Sequence, residues 1–257
     1  MFNVVRLCYK AVLVSAFLGI PVYSASAVEL NLAVANSTCG AIQQVGKLYE
    51  QRTGTKINYL CKSSGRLAKG LNGDTVDADI YISANRKWMD YMLERGLVVP
   101  EKVTSPWGNE LVVAVPENSP LELTSWDDLA GNDVKTILIG DPGTAPFGRY
   151  AKEALEHTGL WKNVRQKIET KKHITLLAEI LSVSDVNTVG ILFLSNTTDK
   201  HRIVYRVDPS WHSPIRYYMA PLSNAENKDE VLAMLEYIQG PEAKEIFRNS
   251  GFKVDIQ

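Results

Sequence analysis

From residue 30 to residue 96, short apolar runs of strand length alternate with amphipathic helical patterns, and this alternation limits the folds open to the chain. The strand-like runs stand at 30–35, 56–61 and 78–84, and the helical patterns that follow them at 40–52, 63–73 and 86–96. Strands that alternate with helices at this spacing form βαβ units around a parallel sheet. The first third of the chain therefore predicts an α/β fold.

A second series of elements begins near residue 109. Strand patterns stand at 109–117, 136–142, 188–195 and 202–207, helical patterns at 124–130, 146–161, 228–240 and 241–252, and a strand-like crossover at 213–222. Two α/β lobes joined by strand-like crossovers explain this order better than one long sheet. We predict lobe 1 from residues 28–107 plus 211–257, and lobe 2 from residues 108–210.

Residues 1–27 have the pattern of a secretory signal peptide. Arg6 and Lys10 precede the apolar run 11–22, and the small residues "SASA" end at Ala27. A retained membrane anchor is the alternative, but the apolar run is too short to span a bilayer. The mature chain is therefore expected to begin after Ala27 and to be exported.

The charge balance gives no indication of a nucleic-acid partner. The whole chain has 28 basic and 29 acidic residues, and removal of residues 1–27 leaves 26 basic residues against 29. A nucleic-acid binder carries a basic patch or stripe, which this balance does not indicate. An anionic ligand would have to be held by local geometry rather than by bulk charge.

Two cysteines, Cys39 and Cys61, remain in the mature chain. In an oxidising compartment such a pair predicts a disulfide. The alternative is two buried thiols, because free cysteine often packs as a small hydrophobe. A metal site is not expected, since the four histidines are scattered and no CxxC motif occurs.

Three predicted strand-to-helix junctions are rich in small polar residues: 35–41, 61–67 and 140–150. Ligands of open parallel sheets bind beyond the carboxyl ends of strands, and helix N-termini present unpaired N–H groups to anions. We therefore predict an oxyanion site built from these junctions. The alternative is that the hydroxyl residues of the first two junctions only cap helices; these are Ser37, Thr38, Ser63 and Ser64.

The sequence does not indicate an enzyme or a cofactor. A serine hydrolase needs a nucleophile elbow with a partnered histidine, yet no GxSxG motif occurs and no histidine lies near Ser37 or Ser64 in the chain. The acidic pair Asp127–Asp128 falls in a predicted first helical turn, where the helix dipole stabilises carboxylates.

Three stretches together resemble one protein family. "ADIYISANRKWMDYMLERG", "GDPGTAPFGRYAKEALEHTGLW" and "IQGPEAKEIFRNSGF" are similar in order and spacing to the periplasmic molybdate-binding proteins of ABC transporters. The resemblance covers nearly the whole mature chain. It implies the type II periplasmic binding protein fold, in which two lobes with mainly parallel sheets and a two-stranded hinge close on a ligand. It also implies a monomer in the periplasm that carries molybdate or tungstate to a membrane permease.

The resemblance implies a set of ligand-binding positions in this sequence. Hydroxyls are expected from Ser37, with Asn36 beside it, and from Ser64. Backbone N–H groups are expected from Phe147 and from Ile174, or from Thr175 if the alignment slips by one residue. Members of the family place a tyrosine hydroxyl at the position of Phe193 or of Phe147.

This chain departs from that pattern, because phenylalanine stands at both positions where a tyrosine would complete the site. Either Thr38, Thr144 or Thr175 supplies the missing donor, or the ligand is not molybdate. Arg66 and Arg149 lie close to the junctions, but similar positions in the family point outward. A Cys39–Cys61 disulfide would brace the first two ligand-bearing loops, whereas free thiols would favour a softer ligand.

Two alternative functions stay open at the level of sequence. The chain could bind another oxyanion, such as sulfate, thiosulfate or a phosphonate. It could also be a periplasmic sensor whose closed form docks on a receptor rather than on a permease.

Overall fold

The computed structural model describes residues 28–254. The predicted signal peptide, residues 1–27, lies outside the described residues. Within 28–254, no helix combines the length and the apolar character that a membrane span requires.

The strands are β1 (Glu29–Ala35), β2 (Lys56–Lys62), β3 (Ile80–Ser83), β4 (Thr104–Gly108), β5 (Leu111–Pro116), β6 (Thr136–Gly140), β7 (Ile168–Lys171), β8 (Thr188–Phe193), β9 (His201–Arg206), β10 (Arg216–Pro221) and β11 (Lys253–Val254). The α-helices are α1 (Asn36–Thr53), α2 (Ser64–Asn72), α3 (Arg86–Leu93), α4 (Pro146–His157), α5 (Trp161–Val164), α6 (Ile174–Ser182), α7 (Lys228–Gln239) and α8 (Pro241–Asn249).

The strands form two sheets, with the order β11-β4-β10-β3-β1-β2 in the first and β7-β6-β8-β5-β9 in the second. The chain passes between the sheets twice, after β4 and after β9, and we call these crossings, residues 108–111 and 206–216, the hinge. The predicted α/β architecture with two sheets is confirmed. The lobe boundaries drawn from the sequence stay a prediction.

Each sheet is mixed rather than mainly parallel, which corrects the sequence prediction. The pairs β1–β2, β1–β3, β6–β7 and β6–β8 are parallel, as expected for strands joined through helices. The strands next to the hinge, β4, β5, β9 and β10, pair antiparallel with their neighbours. They run antiparallel because they enter each sheet from the hinge rather than through a βαβ crossover.

Two helices differ from the prediction by four residues at one end. Helix α1 begins at Asn36, four residues before the predicted start at Gly40, so the polar residues after β1 form its first turn. The predicted helix 146–161 ends at His157, because Gly159 takes a left-handed backbone with φ of +75°. Strands β4 and β7 were not predicted, since neither has a clear apolar alternation.

Candidate functional site

Four helices begin around one small cavity between the two sheets. The space between its atoms amounts to about 220 Å³, part of which is open to solvent. Helices α1 and α2 follow strands of the first sheet, whereas α4 and α6 follow strands of the second. The cavity is lined by Ala35, Asn36, Ser37, Ser63, Ser64, Ala84, Ala145, Pro146, Phe147, His173, Ile174 and Phe193.

Three of these helix N-termini carry no side-chain cap. Helices α1, α2 and α4 begin after Ala35, Ser63 and Ala145, and none of these residues accepts a capping hydrogen bond through its side chain. The first turns of all three lack acidic residues. The positive dipole ends, and those first-turn N–H groups that have no partner within the protein, are therefore left for an anion in the cavity.

The fourth helix N-terminus is capped by a histidine. Nδ1 of His173 accepts a hydrogen bond from the backbone N–H of Leu176 at 3.2 Å. The same nitrogen lies 2.8 Å from Oγ1 of Thr175. His173 therefore lines the cavity and also caps α6 through Nδ1.

The two serines predicted to bind the ligand each accept a hydrogen bond from another group of the protein. The hydroxyl of Tyr217 donates to Oγ of Ser37 at 2.8 Å. The backbone N–H of Ala84 donates to Oγ of Ser64 at 3.0 Å. Within residues 28–254, the structure shows no acceptor for the proton of either serine hydroxyl, so each can donate into the cavity.

Two buried polar atoms of cavity residues have no partner among the described residues. They are Nδ2 of Asn36 and Oγ of Ser63. A buried donor without a partner costs free energy and is rare in native proteins. An oxyanion in the cavity would supply acceptors for both groups.

The cavity wall carries no formal charge. Its residues include no Asp, Glu, Lys or Arg, and His173 is its one titratable side chain. Arg66 is exposed, and Arg149 pairs with Glu153 at 2.8 Å outside the wall. No cluster of His, Cys, Asp or Glu suited to a metal ion occurs in the described part of the chain. The site is therefore a neutral set of donors.

The cavity is closed by a contact across the two sheets. The backbone N–H of Gly65, in the first turn of α2, donates to the carbonyl oxygen of Thr144 at 3.2 Å. Thr144 lies in the loop before α4. The ligand would thus be enclosed between the two halves of the fold.

A comparison with known protein families identifies the family of this chain. The model of the family described as bacterial extracellular solute-binding protein matches residues 30–253. The chain belongs to the bacterial extracellular solute-binding proteins.

Relatives of this solute-binding protein include two curated molybdate-binding proteins. That of Haemophilus influenzae is 28% identical, over 89% of this chain and 91% of the relative. That of Escherichia coli is 26% identical, over 88% of this chain and 89% of the relative. The solved periplasmic molybdate-binding protein of Azotobacter vinelandii superimposes with a TM-score of 0.78 at 19% identity, covering 88% of this chain and 100% of that chain. This match confirms the predicted periplasmic-binding-protein fold.

Six of the seven ligand-binding residues predicted from the sequence line the cavity of the solute-binding protein; they are Asn36, Ser37, Ser64, Phe147, Ile174 and Phe193. The seventh, Thr175, is not brought to the wall, because its side chain is exposed and its hydroxyl lies 2.8 Å from Nδ1 of His173.

Neither of the other two candidate threonines supplies the missing donor. Oγ1 of Thr144 donates to the carboxylate of Asp141 at 2.8 Å. Thr38 is fully buried but does not line the cavity. Phe147 and Phe193 both line it, with ring centroids 6.2 Å apart, so the wall contains no tyrosine hydroxyl.

A disulfide joins Cys39, in the first turn of α1, to Cys61 near the end of β2, with the Cα atoms 6.0 Å apart. Cys39 is buried and Cys61 is partly exposed. The covalent link holds the start of α1 against the strand that leads to α2. It therefore braces two of the four helix N-termini around the cavity.

Sequence reasoning missed Tyr217 and Asn109, which support Ser37. Tyr217 is fully buried in β10, and burial raises the pKa of its phenol, so the hydroxyl keeps its proton. Nδ2 of Asn109, in the hinge, donates to the Tyr217 oxygen at 3.2 Å. The alternation of "RYYMAP" indicates that one tyrosine faces inward, but no sequence signal pairs it with Ser37.

Proposed function

We propose that this solute-binding protein captures a small tetrahedral oxyanion, with molybdate or tungstate as the preferred ligand. The observation that carries the proposal is the cavity wall: uncapped helix N-termini and two serine hydroxyls surround a space without any charged side chain. Such a wall offers donors to a dianion from both halves of the fold, and it carries no carboxylate that could accept a proton from the ligand. The molybdate-binding relatives support molybdate as the ligand.

The size of the cavity supports a small inorganic anion rather than an organic one. The space open to the centre of a water-sized sphere is about 10 Å³, far below the range of roughly 300–1,000 Å³ that is usual for pockets that hold larger organic ligands. Ser37, Ser64, Asn36 and the backbone N–H groups of Phe147 and Ile174 would hold the oxygens. Phe193 would cover the anion with an apolar ring.

A second candidate ligand is another fully deprotonated oxyanion such as sulfate. The wall lacks the tyrosine hydroxyl that the resemblance to molybdate-binding proteins implies, and one donor to a charged oxygen is worth roughly 1.5–3 kcal/mol, or about 10- to 100-fold in affinity. This departure from the molybdate-binding pattern is the reason for considering a different oxyanion. A calorimetric comparison of the affinities for molybdate and sulfate distinguishes the two ligands.

We further propose that the protein acts in the periplasm, as a monomer that delivers its ligand to an ABC permease. The signal-peptide pattern of residues 1–27 supports export. A sensor would use the same closed form to dock on a receptor. Permease and ATPase genes beside this gene would support transport, whereas a histidine kinase gene would support sensing.

Isothermal titration calorimetry of the mature, dialysed protein against molybdate, tungstate, sulfate and phosphate tests the ligand. We expect one-to-one binding of molybdate or tungstate. Ser37→Ala and Ser64→Ala should each weaken it about 10- to 100-fold, because each removes a hydrogen bond to a charged oxygen.

The matched control is Ser182→Ala, at the far end of α6, where the hydroxyl donates to a backbone carbonyl. This variant should bind like the wild type. A wild-type protein that binds sulfate more tightly than molybdate would move the assignment to the second candidate. A protein that binds none of the four anions would contradict the oxyanion function.

A further inference from the structure

A buried chain of hydrogen bonds leads from the hinge to the ligand cavity. Nδ2 of Asn109 donates to the Tyr217 oxygen at 3.2 Å, and the Tyr217 hydroxyl donates to Oγ of Ser37 at 2.8 Å. All three side chains are buried, and Tyr217 is fully so. Asn109 precedes β5 in one hinge crossing, and Tyr217 lies in β10 just after the other.

The direction of this chain is fixed by backbone groups. The backbone N–H of Glu110 donates to Oδ1 of Asn109 at 2.9 Å, and the N–H of Ser195 approaches the same oxygen at 3.4 Å. A backbone N–H can only donate, so the amide oxygen must face these two groups and the NH₂ must face Tyr217. The Tyr217 oxygen is then occupied as an acceptor, and its proton is directed to Ser37.

On the other side of the cavity, the hydroxyl of Ser64 also accepts a hydrogen bond from another group of the protein. Its Oγ accepts the backbone N–H of Ala84 at 3.0 Å. In addition, the hydroxyl of Tyr81 donates to the Ser64 carbonyl oxygen at 3.0 Å, which fixes the start of α2. Each serine hydroxyl therefore accepts a hydrogen bond from within the protein, and its own proton is free to be donated to a ligand in the cavity.

We propose that Asn109 and Tyr217 are positioning residues that lock Ser37 as a donor, and that this lock makes the site select fully deprotonated oxyanions. The inference rests on the proposed oxyanion function and extends it to specificity. A free serine hydroxyl could turn and accept the proton of a protonated anion. A serine that is already an acceptor toward Tyr217 turns less readily, so Ser37 offers the proton of a protonated anion no acceptor, and that anion binds less tightly.

The test is the affinity of Tyr217→Phe for molybdate, measured by calorimetry at pH 7 beside inorganic phosphate, which keeps a proton at that pH. We expect the variant to bind molybdate about tenfold more weakly, as for one lost supporting hydrogen bond. We also expect the ratio of the molybdate affinity to the phosphate affinity to fall. If the wild type prefers tungstate or sulfate, the same ratio is measured with that anion.

Tyr218→Phe is the matched control, because Tyr218 is the next residue of β10 and lies on the half-exposed opposite face. It should leave both the affinity and the ratio unchanged. Asn109→Ala is the second variant should Tyr217→Phe fail to fold. This variant retains Tyr217 and Ser37 but allows the tyrosine hydroxyl to rotate. It should therefore also lower the ratio of the molybdate affinity to the phosphate affinity.

A double-mutant cycle with Ser37→Ala separates positioning from a general structural role. If Tyr217 acts through Ser37, the Tyr217→Phe change should cost less than about twofold in the Ser37→Ala background. A full additive loss in that background, or wild-type affinity and ratio in Tyr217→Phe, would overturn the inference while leaving the oxyanion function intact. A wild-type protein that binds none of the anions would overturn both.

Discussion

At the scale of single residues, Phe193 distinguishes this site from the pattern that the family resemblance implies. Its ring is fully buried and lines the cavity, but it cannot donate a hydrogen bond. The donors that remain are serine hydroxyls, the Asn36 amide and backbone N–H groups. The site therefore binds its anion, on the function proposed above, with one donor fewer than the resemblance implies.

Phe193→Tyr should restore that donor. We expect molybdate affinity to rise about tenfold or more, because a hydrogen bond to a charged oxygen is worth roughly 1.5–3 kcal/mol. The ligand-free protein should lose about 1–3 kcal/mol of unfolding free energy, because the new hydroxyl is buried without a partner. Calorimetry and urea unfolding measure the two effects.

The control for this change is Phe247→Tyr, which adds a hydroxyl to a ring stacked on Trp107 away from the cavity. It should lower stability without raising affinity. Unchanged affinity in Phe193→Tyr would show that the hydroxyl does not reach the anion.

At the scale of elements, the position of α4 depends on a close backbone approach between two glycines. Gly140 ends β6, and Gly148 lies in the first turn of α4. A Cβ on Gly148 would come within 2.6 Å of the Gly140 Cα and would collide with its carbonyl group. The two glycines therefore allow the N-terminus of α4, with Pro146 and Phe147, to reach the cavity.

Gly148→Ala should displace that helix N-terminus. Because the obstructing atoms are backbone, they cannot move aside as a flexible side chain would, and we expect a loss of at least about 1–3 kcal/mol of unfolding free energy. Molybdate affinity should fall in the same variant, because the Phe147 N–H moves away from the anion. Urea unfolding and calorimetry measure both.

The matched control is Gly40→Ala in α1, where an added Cβ meets nothing within 4 Å. It should raise the unfolding free energy by about 0.5–1 kcal/mol through the higher helix propensity of alanine. Its affinity should stay at the wild-type value. A Gly148→Ala protein with wild-type stability and affinity would contradict the close approach.

At the scale of the whole molecule, Glu110 ties the hinge to strands of both sheets. Its carboxylate lies 2.8 Å from Nζ of Lys253 in β11 and 2.5 Å from Nη1 of Arg206 in β9. The hydrogen bond from Lys253 and the charges of Lys253 and Arg206 hold the pKa of Glu110 below its ordinary value. The three residues connect segments that meet at the hinge.

This ion cluster predicts a pH-dependent contribution to stability. A carboxylate whose pKa is lowered by folding stabilises the protein above its unfolded-state pKa, near 4.3 for Glu, and loses that effect as the pH falls through the folded value. Glu110→Gln should therefore lower the unfolding free energy at pH 7, by up to about 1 kcal/mol for each partly exposed pair. The difference from the wild type should vanish near pH 3.

Urea unfolding at the two pH values measures this difference. Glu94→Gln is the control, because Glu94 is exposed and lies 3.6 Å from Arg95 in a local pair. It should change stability little at either pH. A Glu110→Gln deficit that persists unchanged near pH 3 would show that the effect is not electrostatic.

The sequence by itself determined the features that depend on neighbours along the chain. The alternation of strand and helix patterns predicted most elements to within a few residues, and the three polar junctions predicted where α1, α2 and α4 begin beside one cavity. Family resemblance placed Ser37, Ser64, Phe147 and Ile174 at the site, and all four line one cavity. The element predictions succeed because periodicity and capping chemistry are local properties, whereas the ligand-binding role of these four residues stays a prediction.

Only the tertiary structure decided which distant groups meet at those positions. Tyr217 and Ser37 are 180 residues apart in sequence, yet one hydrogen bond joins them. Thr175 was a candidate donor, but its hydroxyl lies against His173, and the antiparallel strands at the hinge follow from how the chain passes between the sheets. Such contacts depend on the packing of whole elements, which no local pattern encodes. The sequence therefore determined which serines lie at the cavity, and the fold decided which groups donate to their hydroxyls.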